Sequence, residues 1–236
     1  MKLIDLLVKL ANGEEMPNKI VYNNSTLKYD KGAKDYERYY GKYLFEYKFK
    51  NCINFLNDEV EVIKELNLYD TVRYNNYEWF IIGKKEDNVT LLLKECLNFE
   101  SEIFDEDNDV QFNSDKTNND WQDSNIRRFL NEEFLKDFNK NELNEMTTNY
   151  DEDKHSKDYV RLLTVRNAEK LPKEIRKCDK AYWTMSPSPF DTWNAGARVW
   201  YVDSGGSLHH TWTSLSWLGV RPVINLKSEY LKDSQN

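Results

Sequence analysis

The chain has 236 residues, which allows one large domain or a small domain followed by a medium one. Its formal net charge of −8 argues against nucleic acid as a partner, because a nucleic-acid binder needs a basic surface. Aromatic residues make up 14% of the chain, a share that argues against disorder and predicts a folded protein.

Export and membrane insertion are not expected from the sequence. Asp5 and Lys9 interrupt the apolar residues at the N-terminus, which therefore lack the core of a signal peptide. No apolar stretch approaches the length of a membrane span. The three cysteines, Cys52, Cys96 and Cys178, are far apart in sequence, and we expect reduced thiols and no disulfide framework.

The first part of the chain predicts a small module of mixed α and β structure. Residues 2–12 have the periodicity of an amphipathic helix, and 19–29 predict a β-hairpin around three small polar residues. Alternating patterns predict two further strands, at 43–49 and 57–63. We expect residues 1–66 to form an α+β module that serves attachment or homo-oligomerisation.

A second block begins near residue 70, and residues 67–230 are expected to form the main domain, followed by a tail at 231–236. Two short runs, 71–73 and 78–82, predict a hairpin, and 89–93 predicts a buried strand. The Asp- and Asn-rich residues that follow, up to 120, predict a long solvated loop.

The middle of the main domain predicts helices. Residues 125–138 carry apolar side chains on one face, and Asp123 or Ser124 can cap the first turn. A shorter helix is predicted at 141–146 and a polar surface loop at 149–158. After the apolar run 160–163, Thr164 is expected to cap a helix over 165–170 that Pro172 ends.

The last part of the chain is rich in tryptophan, glycine and proline, and predicts β structure with irregular loops. Five of the seven tryptophans lie between Trp183 and Trp217. Residues 197–202 predict a strand that turns at 203–206 and returns with His209 and His210 on opposite faces. The last strand contains Pro222, so we expect it at an edge or distorted there.

These aromatic residues predict a recognition surface, because Trp and Tyr give large contact areas with few rotatable bonds. Trp183 and one of Trp200 or Trp212 are expected in the core instead. The candidate contact residues are Trp193, Asn194, Arg198, Trp200, Tyr201, Asp203, His209, His210, Trp212 and Trp217.

Five separated motifs, in this order, carry a resemblance to a known superfamily. They are residues 77–80, 121–131, 160–164, 182–187 and 219–224. This arrangement resembles uncharacterised bacterial and phage domains of the C-type-lectin-like, formylglycine-generating-enzyme-like superfamily. The N-terminal block is similar to small modules at the start of phage and prophage proteins from low-GC Gram-positive hosts.

The resemblance covers residues 70–226 and implies a fold and a binding role. The implied fold is α+β, with a twisted antiparallel sheet, two or three helices and irregular loops. Some related domains are receptor-binding proteins that diversity-generating retroelements vary; the matching stretch here is 194–217. By the same resemblance, Gly219, Arg221 and Pro222 would be structural.

Departures from the active relatives argue against catalysis. Formylglycine-generating enzymes use a cysteine pair, whereas only Cys178 lies in the C-terminal half of this chain. The Glu-Pro-Asn and Trp-Asn-Asp triplets of calcium-dependent lectins are missing, since Trp193-Asn194 is followed by Ala195. The acidic run from Asp105 lacks the glycine and glutamate positions of an EF-hand. We therefore expect neither a metal nor another cofactor.

The sequence favours a non-catalytic binding protein for a protein or glycan ligand, without nucleic-acid or membrane partners. Such a protein would lie on a virion or in the cytoplasm of an infected host. An alternative is a phage inhibitor of a host defence effector, for which the acidic charge is suited to a basic target. A divergent hydrolase or oxidase is the third alternative, disfavoured because no nucleophile motif or cofactor loop is evident.

Overall fold

A computed structural model describes residues 5, 9, 12, 14–15, 19–22, 25–30, 35–36, 61–63, 66–99, 101–189 and 197–231. The chain divides into two compact units, Met1–Leu66 and Asn67–Asn236. Over the described ranges, no helix is both long and apolar enough to cross a bilayer.

The described part of the first unit contains one antiparallel sheet. Its strands are β1 Lys19–Tyr22, β2 Ser25–Asp30, β3 Asp35–Tyr36 and β4 Glu61–Ile63, in the order β3-β2-β1-β4. The predicted hairpin is confirmed, with Tyr22 opposite Ser25. Asp5 and Lys9 are helical, as predicted. The predicted strand at 43–49 lies outside the described residues, as does 57–60 of the next one.

The second unit contains three sheets and short helices over its described residues. Its strands are β5 Thr71–Tyr74, β6 Tyr77–Lys85, β7 Asn88–Leu93, β8 Met146–Asn149, β9 His155–Asp158, β10 Val160–Arg161, β11 Tyr182–Pro187, β12 Arg198–Val202, β13 Leu208–Trp212 and β14 Val223–Lys227. The main sheet has the order β10-β14-β7-β6-β5, a second has β11-β12-β13, and β8 pairs with β9. All these pairs are antiparallel, so the described fold is α+β.

Three α-helices complete the described part of this unit: α1 Asn125–Glu132, α2 Val165–Lys170 and α3 Lys173–Arg176. Side-chain caps start two of them, as predicted. Ser124 Oγ accepts a hydrogen bond from the Arg127 N–H at 3.0 Å, and Thr164 Oγ1 accepts one from the Asn167 N–H at 3.0 Å. Such a cap satisfies one of the N–H groups that a helix start leaves unpaired.

The hairpin of β5 and β6 turns through two residues, Asn75 and Asn76. Both have positive φ angles, 49° and 65°, the conformation that a tight two-residue hairpin turn requires. The predicted hairpin and the buried strand β7 are confirmed.

The helix predicted over 125–138 is shorter in the structure. It ends at Glu132, and a 3₁₀ helix, Phe134–Asp137, follows. This tighter turn brings Phe134 into an aromatic cluster, where its ring centroid is 5.0 Å from that of Phe138 and 5.7 Å from that of Tyr77. Burial of the phenylalanines therefore overrides continuation of the α-helix.

The predictions for residues 141–158 are wrong in part. No helix forms over 141–146, where a turn precedes the first residue of β8, and β9 occupies 155–158 of the predicted surface loop. The loop prediction is confirmed for the exposed residues 151–153. Every second residue of the two strands is buried, including Ser156 and Asp158, which is the pattern of strands with one covered face. The Asp158 carboxylate accepts hydrogen bonds from Trp121 Nε1 at 2.9 Å and Arg127 Nε at 2.8 Å. This buried carboxylate therefore has hydrogen-bond partners in the protein interior.

The acidic segment before α1 is irregular, as predicted, but parts of it are packed and not solvated. Val110 and Phe112 are fully buried, and the Phe112 ring lies 5.7 Å from that of Trp183. Lys180 Nζ contacts the Asp109 carboxylate at 2.8 Å and also binds the Asp107 carbonyl. The segment is thus fixed by a few apolar anchors and by ion pairs such as that of Asp109 with Lys180.

The strand that follows Pro222 is central and not at an edge, which corrects the prediction. β14 lies between β10 and β7, and Pro222 stands just before its first residue. The Pro222 carbonyl accepts a hydrogen bond from the Leu93 N–H at 2.9 Å, so the missing N–H of proline interrupts no ladder bond within β14. Leu231, assigned to the tail by sequence, is fully buried in a 3₁₀ helix, Ser228–Leu231.

Candidate ligand-binding site

The hairpin of β12 and β13 carries most of the predicted contact residues. Its register places Arg198 opposite Trp212, Trp200 opposite His210, and Tyr201 opposite His209. Residues opposite each other share a face, so the hairpin presents two different aromatic faces. The adjacent histidines lie on opposite faces, as predicted.

The turn of this hairpin is held by Asp203. Its carboxylate accepts a hydrogen bond from the Ser207 N–H at 2.7 Å, and its N–H donates to the Ser207 carbonyl at 2.8 Å. Gly206 has a φ of +84°, and its Cβ would lie 3.0 Å from the Lys173 carbonyl oxygen, so glycine is required there. The turn is therefore rigidly specified.

One face, which we call the cleft face, consists of Arg198, Trp200, His210 and Trp212. The Arg198 guanidinium lies over the Trp212 ring, 4.1 Å from its centroid, and the Trp200 and His210 rings meet at 5.6 Å. Arg198 Nη1 is 3.5 Å from His210 Nδ1. All four side chains are half-buried, which leaves a cationic and aromatic surface partly open to solvent.

The other face, which we call the Trp217 face, consists of Tyr201, Asp203, His209 and Trp217. The Trp217 side chain is 44% exposed, and its ring meets that of Tyr201 edge-on at 5.2 Å. Tyr201 also packs on His209 at 5.6 Å, and His209 Nε2 is 3.1 Å from Asp203 Oδ2. This is a connected aromatic surface with one acidic group.

Asp203 keeps its negative charge on this face. Burial alone would raise the pKa of its carboxyl group. Hydrogen bonds from the Ser207 N–H and from His209 outweigh burial, so the pKa is lowered from its usual value. A ligand that reaches the Trp217 face therefore meets a carboxylate.

A cleft of about 500 Å³ opens beside Trp200. Its walls come from five separate parts of the chain, one of which contributes Trp200. The other parts are mainly polar and contribute amide, carboxylate, guanidinium and hydroxyl groups from Asn119, Asn149, Glu152, Arg166, Ser186 and Ser188. The volume is in the range of pockets that hold small ligands. An aromatic wall with convergent polar groups is suited to a ligand with both flat and hydrogen-bonding surfaces.

Asp120 fixes the position of Tyr150, one of the residues that line the cleft. Its carboxylate accepts hydrogen bonds from the Tyr150 hydroxyl at 2.6 Å and the Gln122 N–H at 3.0 Å, and Lys154 Nζ lies 2.8 Å away. Burial raises the pKa of Asp120, but these three donors outweigh it, so the pKa is lowered. The network ties Tyr150, which lines the cleft, to the 3₁₀ helix Trp121–Asp123 that precedes α1.

The structure places eight of the ten predicted contact residues on these two faces; Trp193 and Asn194 lie outside the described residues. Trp183 is fully buried, as predicted. The expectation that one of Trp200 or Trp212 lies in the core is wrong, because both are on the cleft face and half-buried. The polar cleft was not predicted, since its lining comes from segments far apart in sequence.

A pair of cysteines forms a second cluster. Cys96 and Cys178 lie 82 residues apart, yet their sulfur atoms are 3.5 Å from each other. The expectation that Cys178 has no thiol partner is therefore wrong. With Asp179, which is also among the described residues, they place three potential metal-ligand atoms within 4.8 Å of one another.

The two thiols differ in environment. Cys96 is buried and Cys178 is half-exposed. The hydrogen bond with Cys178 and burial raise the pKa of Cys96 far above the ordinary range. Asp179 Oδ1 accepts hydrogen bonds from the Cys96 N–H at 3.0 Å and from the Cys178 thiol at 3.0 Å, which fixes both residues.

Arg221 joins the two segments that carry these cysteines, and it is fully buried. Its guanidinium donates to the Leu93 and Lys94 carbonyls at 2.7 and 2.9 Å. It also donates to the Ile175 and Arg176 carbonyls, at 3.0 and 3.1 Å. The role of Arg221 is structural, as its burial and its backbone partners require.

Gly219 makes room for Cys96. A Cβ at this position would lie 2.9 Å from Cys96 Sγ and 2.9 Å from Lys180 Cδ, closer than real contacts allow. Its carbonyl accepts a hydrogen bond from the Trp183 N–H at 3.2 Å. The segment before β14 therefore runs directly behind the thiol pair.

A domain of unknown function, DUF6273, matches residues 87–158 of this chain. The matched segment covers less than a third of the chain and runs from the turn before β7 to the end of β9. It includes Cys96 and the Asp120 network, whereas the β12–β13 hairpin lies outside it. No curated protein and no solved structure matches the chain significantly.

Proposed function

We propose that this is a non-catalytic binding protein that uses the β12–β13 hairpin to hold a protein ligand. The supporting observation is the Trp217 face, where a 44% exposed tryptophan is connected through Tyr201 to His209. Trp, Tyr and Arg are the residues that most often dominate the energy of protein interfaces. Their rings are held by neighbours, so little side-chain entropy is lost when a partner binds.

The rigid turn supports this function. Asp203 and Gly206 fix the hairpin tip, so the aromatic side chains are presented in one arrangement before binding. Preorganisation of this kind raises affinity because fewer groups have to be ordered on association. The proposal includes a C-type-lectin-like fold for the second unit and an origin in a phage or prophage of a Gram-positive host.

The cleft favours a glycan as a second candidate ligand. Trp200 offers a flat ring, and the amide and carboxylate side chains of Asn119, Asn149 and Glu152 offer hydrogen bonds at the same site. Sugars present both an apolar face and a rim of hydroxyl groups, which such a site matches. Because Trp200 is on the cleft face and Trp217 on the other, the two ligands can be distinguished.

Paired substitutions test the proposal. Trp217→Ala and Trp200→Ala are compared with Leu68→Ala, a control at a side chain that is 49% exposed and belongs to neither face. Each variant is immobilised and exposed to lysate and cell-wall fractions of low-GC Gram-positive bacteria, and captured proteins are quantified by mass spectrometry. The same variants are applied to a glycan array.

We expect Trp217→Ala to lose at least about tenfold of the captured partner, as for an interface hot spot, while Leu68→Ala retains it. The melting temperature of Trp217→Ala should stay close to that of the wild type, because Trp217 is 44% exposed and lies outside the buried core. If Trp200→Ala is the single variant that loses binding to the glycan array, the result favours a glycan ligand in the cleft over a protein ligand. Identical capture by the wild type and all variants would rule out a role for the hairpin.

The alternative of a defence inhibitor makes a different prediction from the same experiment. A single stoichiometric intracellular partner, lost in Trp217→Ala, would indicate an inhibitor that occupies an effector. Recovery of surface proteins or cell-wall material would indicate a receptor-binding protein. The net charge of −8 is suited to a basic partner in either case.

A further inference from the structure

The sulfur atoms of Cys96 and Cys178 are arranged so that they need little movement to bond. They are 3.5 Å apart, and a disulfide requires about 2.05 Å. The Asp179 carboxylate binds the Cys96 N–H and the Cys178 thiol, and the Asp179 N–H binds Glu95 Oε2 at 3.2 Å. Cys96 is thus held by a residue of the opposite segment, and Cys178 by its own neighbour Asp179.

Arg221 contributes a second restraint to the same pair. Its guanidinium binds carbonyls just before Cys96 and just before Cys178, so the two segments cannot separate without losing these hydrogen bonds. The missing side chain of Gly219 leaves the space in which Cys96 Sγ lies. A thiol pair with this support is a built feature of the fold and not a chance contact.

We propose that Cys96 and Cys178 form a reversible redox site, in which a small-molecule disulfide oxidises the two thiols to an intramolecular disulfide. Cys178 is the entry point, because it is the half-exposed member of the pair. Cys96 is buried directly behind it and acts as the resolving thiol. The inference is independent of the proposed ligand.

The reaction balances in two exchanges. The Cys178 thiolate attacks one sulfur of the small disulfide, which gives a mixed disulfide and releases one small-molecule thiol that takes up a proton. Cys96 Sγ then attacks Cys178 Sγ, and the proton of the Cys96 thiol passes to the departing small-molecule sulfur. This step forms the Cys96–Cys178 bond and releases the second thiol. The protein has lost two protons and two electrons, and the small disulfide has gained them.

The surroundings favour a disulfide over a bound metal ion. Zinc usually takes four donors, with thiolates for sulfur ligands. The cluster offers three donors, and the third, Asp179 Oδ1, already accepts a hydrogen bond from the Cys96 N–H. The positive charge of Arg221 acts on Cys96 from the buried side and would oppose a second cation.

The disulfide would tie the segment that follows β7 to the segment that precedes β11, and these strands belong to two different sheets of the second unit. It would close a loop between residues 82 positions apart, a long loop that a cross-link restricts strongly in the unfolded chain. Oxidation is therefore expected to raise the melting temperature by roughly 5–10 °C.

Oxidised glutathione serves as the probe, applied to the full chain carrying Cys52→Ser so that the pair supplies its only thiols. Intact mass and peptide mapping should show loss of two hydrogens and a Cys96–Cys178 linkage, reversed by dithiothreitol. In a Cys96→Ser variant the mixed disulfide with glutathione should persist on Cys178. In the Cys52→Ser protein, Cys96 should displace glutathione from Cys178. This step should be at least about tenfold faster in the folded protein than in protein unfolded by guanidinium, because folding holds the two thiols together.

Three results would overturn the proposal. In the first, both thiols stay reactive after exposure to glutathione disulfide. In the second, the mixed disulfide on Cys178 persists in the presence of Cys96. In the third, purified protein holds stoichiometric zinc, and the thiols become oxidisable only after chelation. Mapping of the parent protein answers the first two without any substitution at the pair, so the outcome does not depend on whether Cys96→Ser folds.

Discussion

The charged side chain of Arg221 is fully buried. Its guanidinium donates hydrogen bonds to four backbone carbonyls and to the Tyr182 hydroxyl. The guanidinium also lies 5.0 Å from the centre of the Tyr182 ring. Its charge is thus stabilised by peptide dipoles and by an aromatic face. Arginine is suited to this position because its planar group has five donors in a fixed arrangement.

Replacing Arg221 by methionine is expected to lower the free energy of unfolding by at least about 3 kcal/mol, because it leaves several buried carbonyls without donors. Arg221→Lys should lose nearly as much, since one ammonium group cannot reach both segments. Urea denaturation followed by circular dichroism measures both. The control Arg73→Met removes an exposed arginine on β5 and should leave the midpoint unchanged. Equal losses in the two methionine variants would contradict the role given to Arg221.

Residues whose signals are local were predictable from sequence, and residues that meet through the fold were not. Ser124 and Thr164 cap helices because their hydroxyls lie just before an apolar run, which the sequence displays. Cys96 and Cys178 meet only because Arg221 and Asp179 join their segments. No local pattern encodes that meeting, so the sequence indicated unrelated thiols.

At the scale of elements, the polar hairpin of β8 and β9 is the least predictable part of the second unit. Apart from Thr147 and Thr148, its strands lack the β-branched and large aromatic residues that are usual in strands. They are strands because Trp121 and Arg127 supply hydrogen bonds to Asp158, and because Tyr150 reaches Asp120. Trp121, Arg127 and Asp120 lie before the hairpin in sequence, and the alternation pattern of the strand residues does not reveal these partners.

The Asp120 network predicts the acid stability of this region. The folded-state pKa of Asp120 is lowered, so its contribution to stability is present above the unfolded-state pKa of about 4 and is lost as pH falls through the folded-state value. Asp120→Asn should therefore be less stable than the wild type at neutral pH. The difference in melting temperature should shrink below about pH 4.

Thermal unfolding of both proteins from pH 7 to pH 3 measures this difference. Asp153→Asn, at an exposed residue of the turn between β8 and β9, is the matched control and should follow the wild-type curve. A difference between Asp120→Asn and the wild type that is constant over the whole pH range would show that charge at this position does not contribute. The same experiment reports on the cleft, because Tyr150 lines it.

At the scale of the whole molecule, the chain divides at Leu66 into two compact units. The second unit contains both aromatic faces, the cleft and the thiol pair. Its core includes the fully buried tryptophans Trp79, Trp121 and Trp183. A core of this size is sufficient for independent folding of a chain of this length.

A fragment of residues 67–236 is expected to fold alone. It should unfold in one cooperative transition within a few degrees of the corresponding transition in the full chain, and it should retain capture of the ligand. Differential scanning calorimetry and near-ultraviolet circular dichroism measure the first property. A fragment without a cooperative transition would show that the second unit requires residues 1–66.

The order of the main sheet has a consequence for synthesis of the chain. β14, the last strand in sequence among those described, fills the position between β7 and β10, and its register with β7 runs from Val223 opposite Leu92 to Lys227 opposite Asn88. The hairpins of β5, β6 and β7 can form as soon as they leave the ribosome, but the outer edge of β7 stays open until residue 227 has emerged. An open apolar edge is a template for pairing with other chains. Translation that stalls before Val223 is therefore expected to yield aggregation-prone chains. The main sheet is complete only after β14 has been synthesised and has paired with β7 and β10.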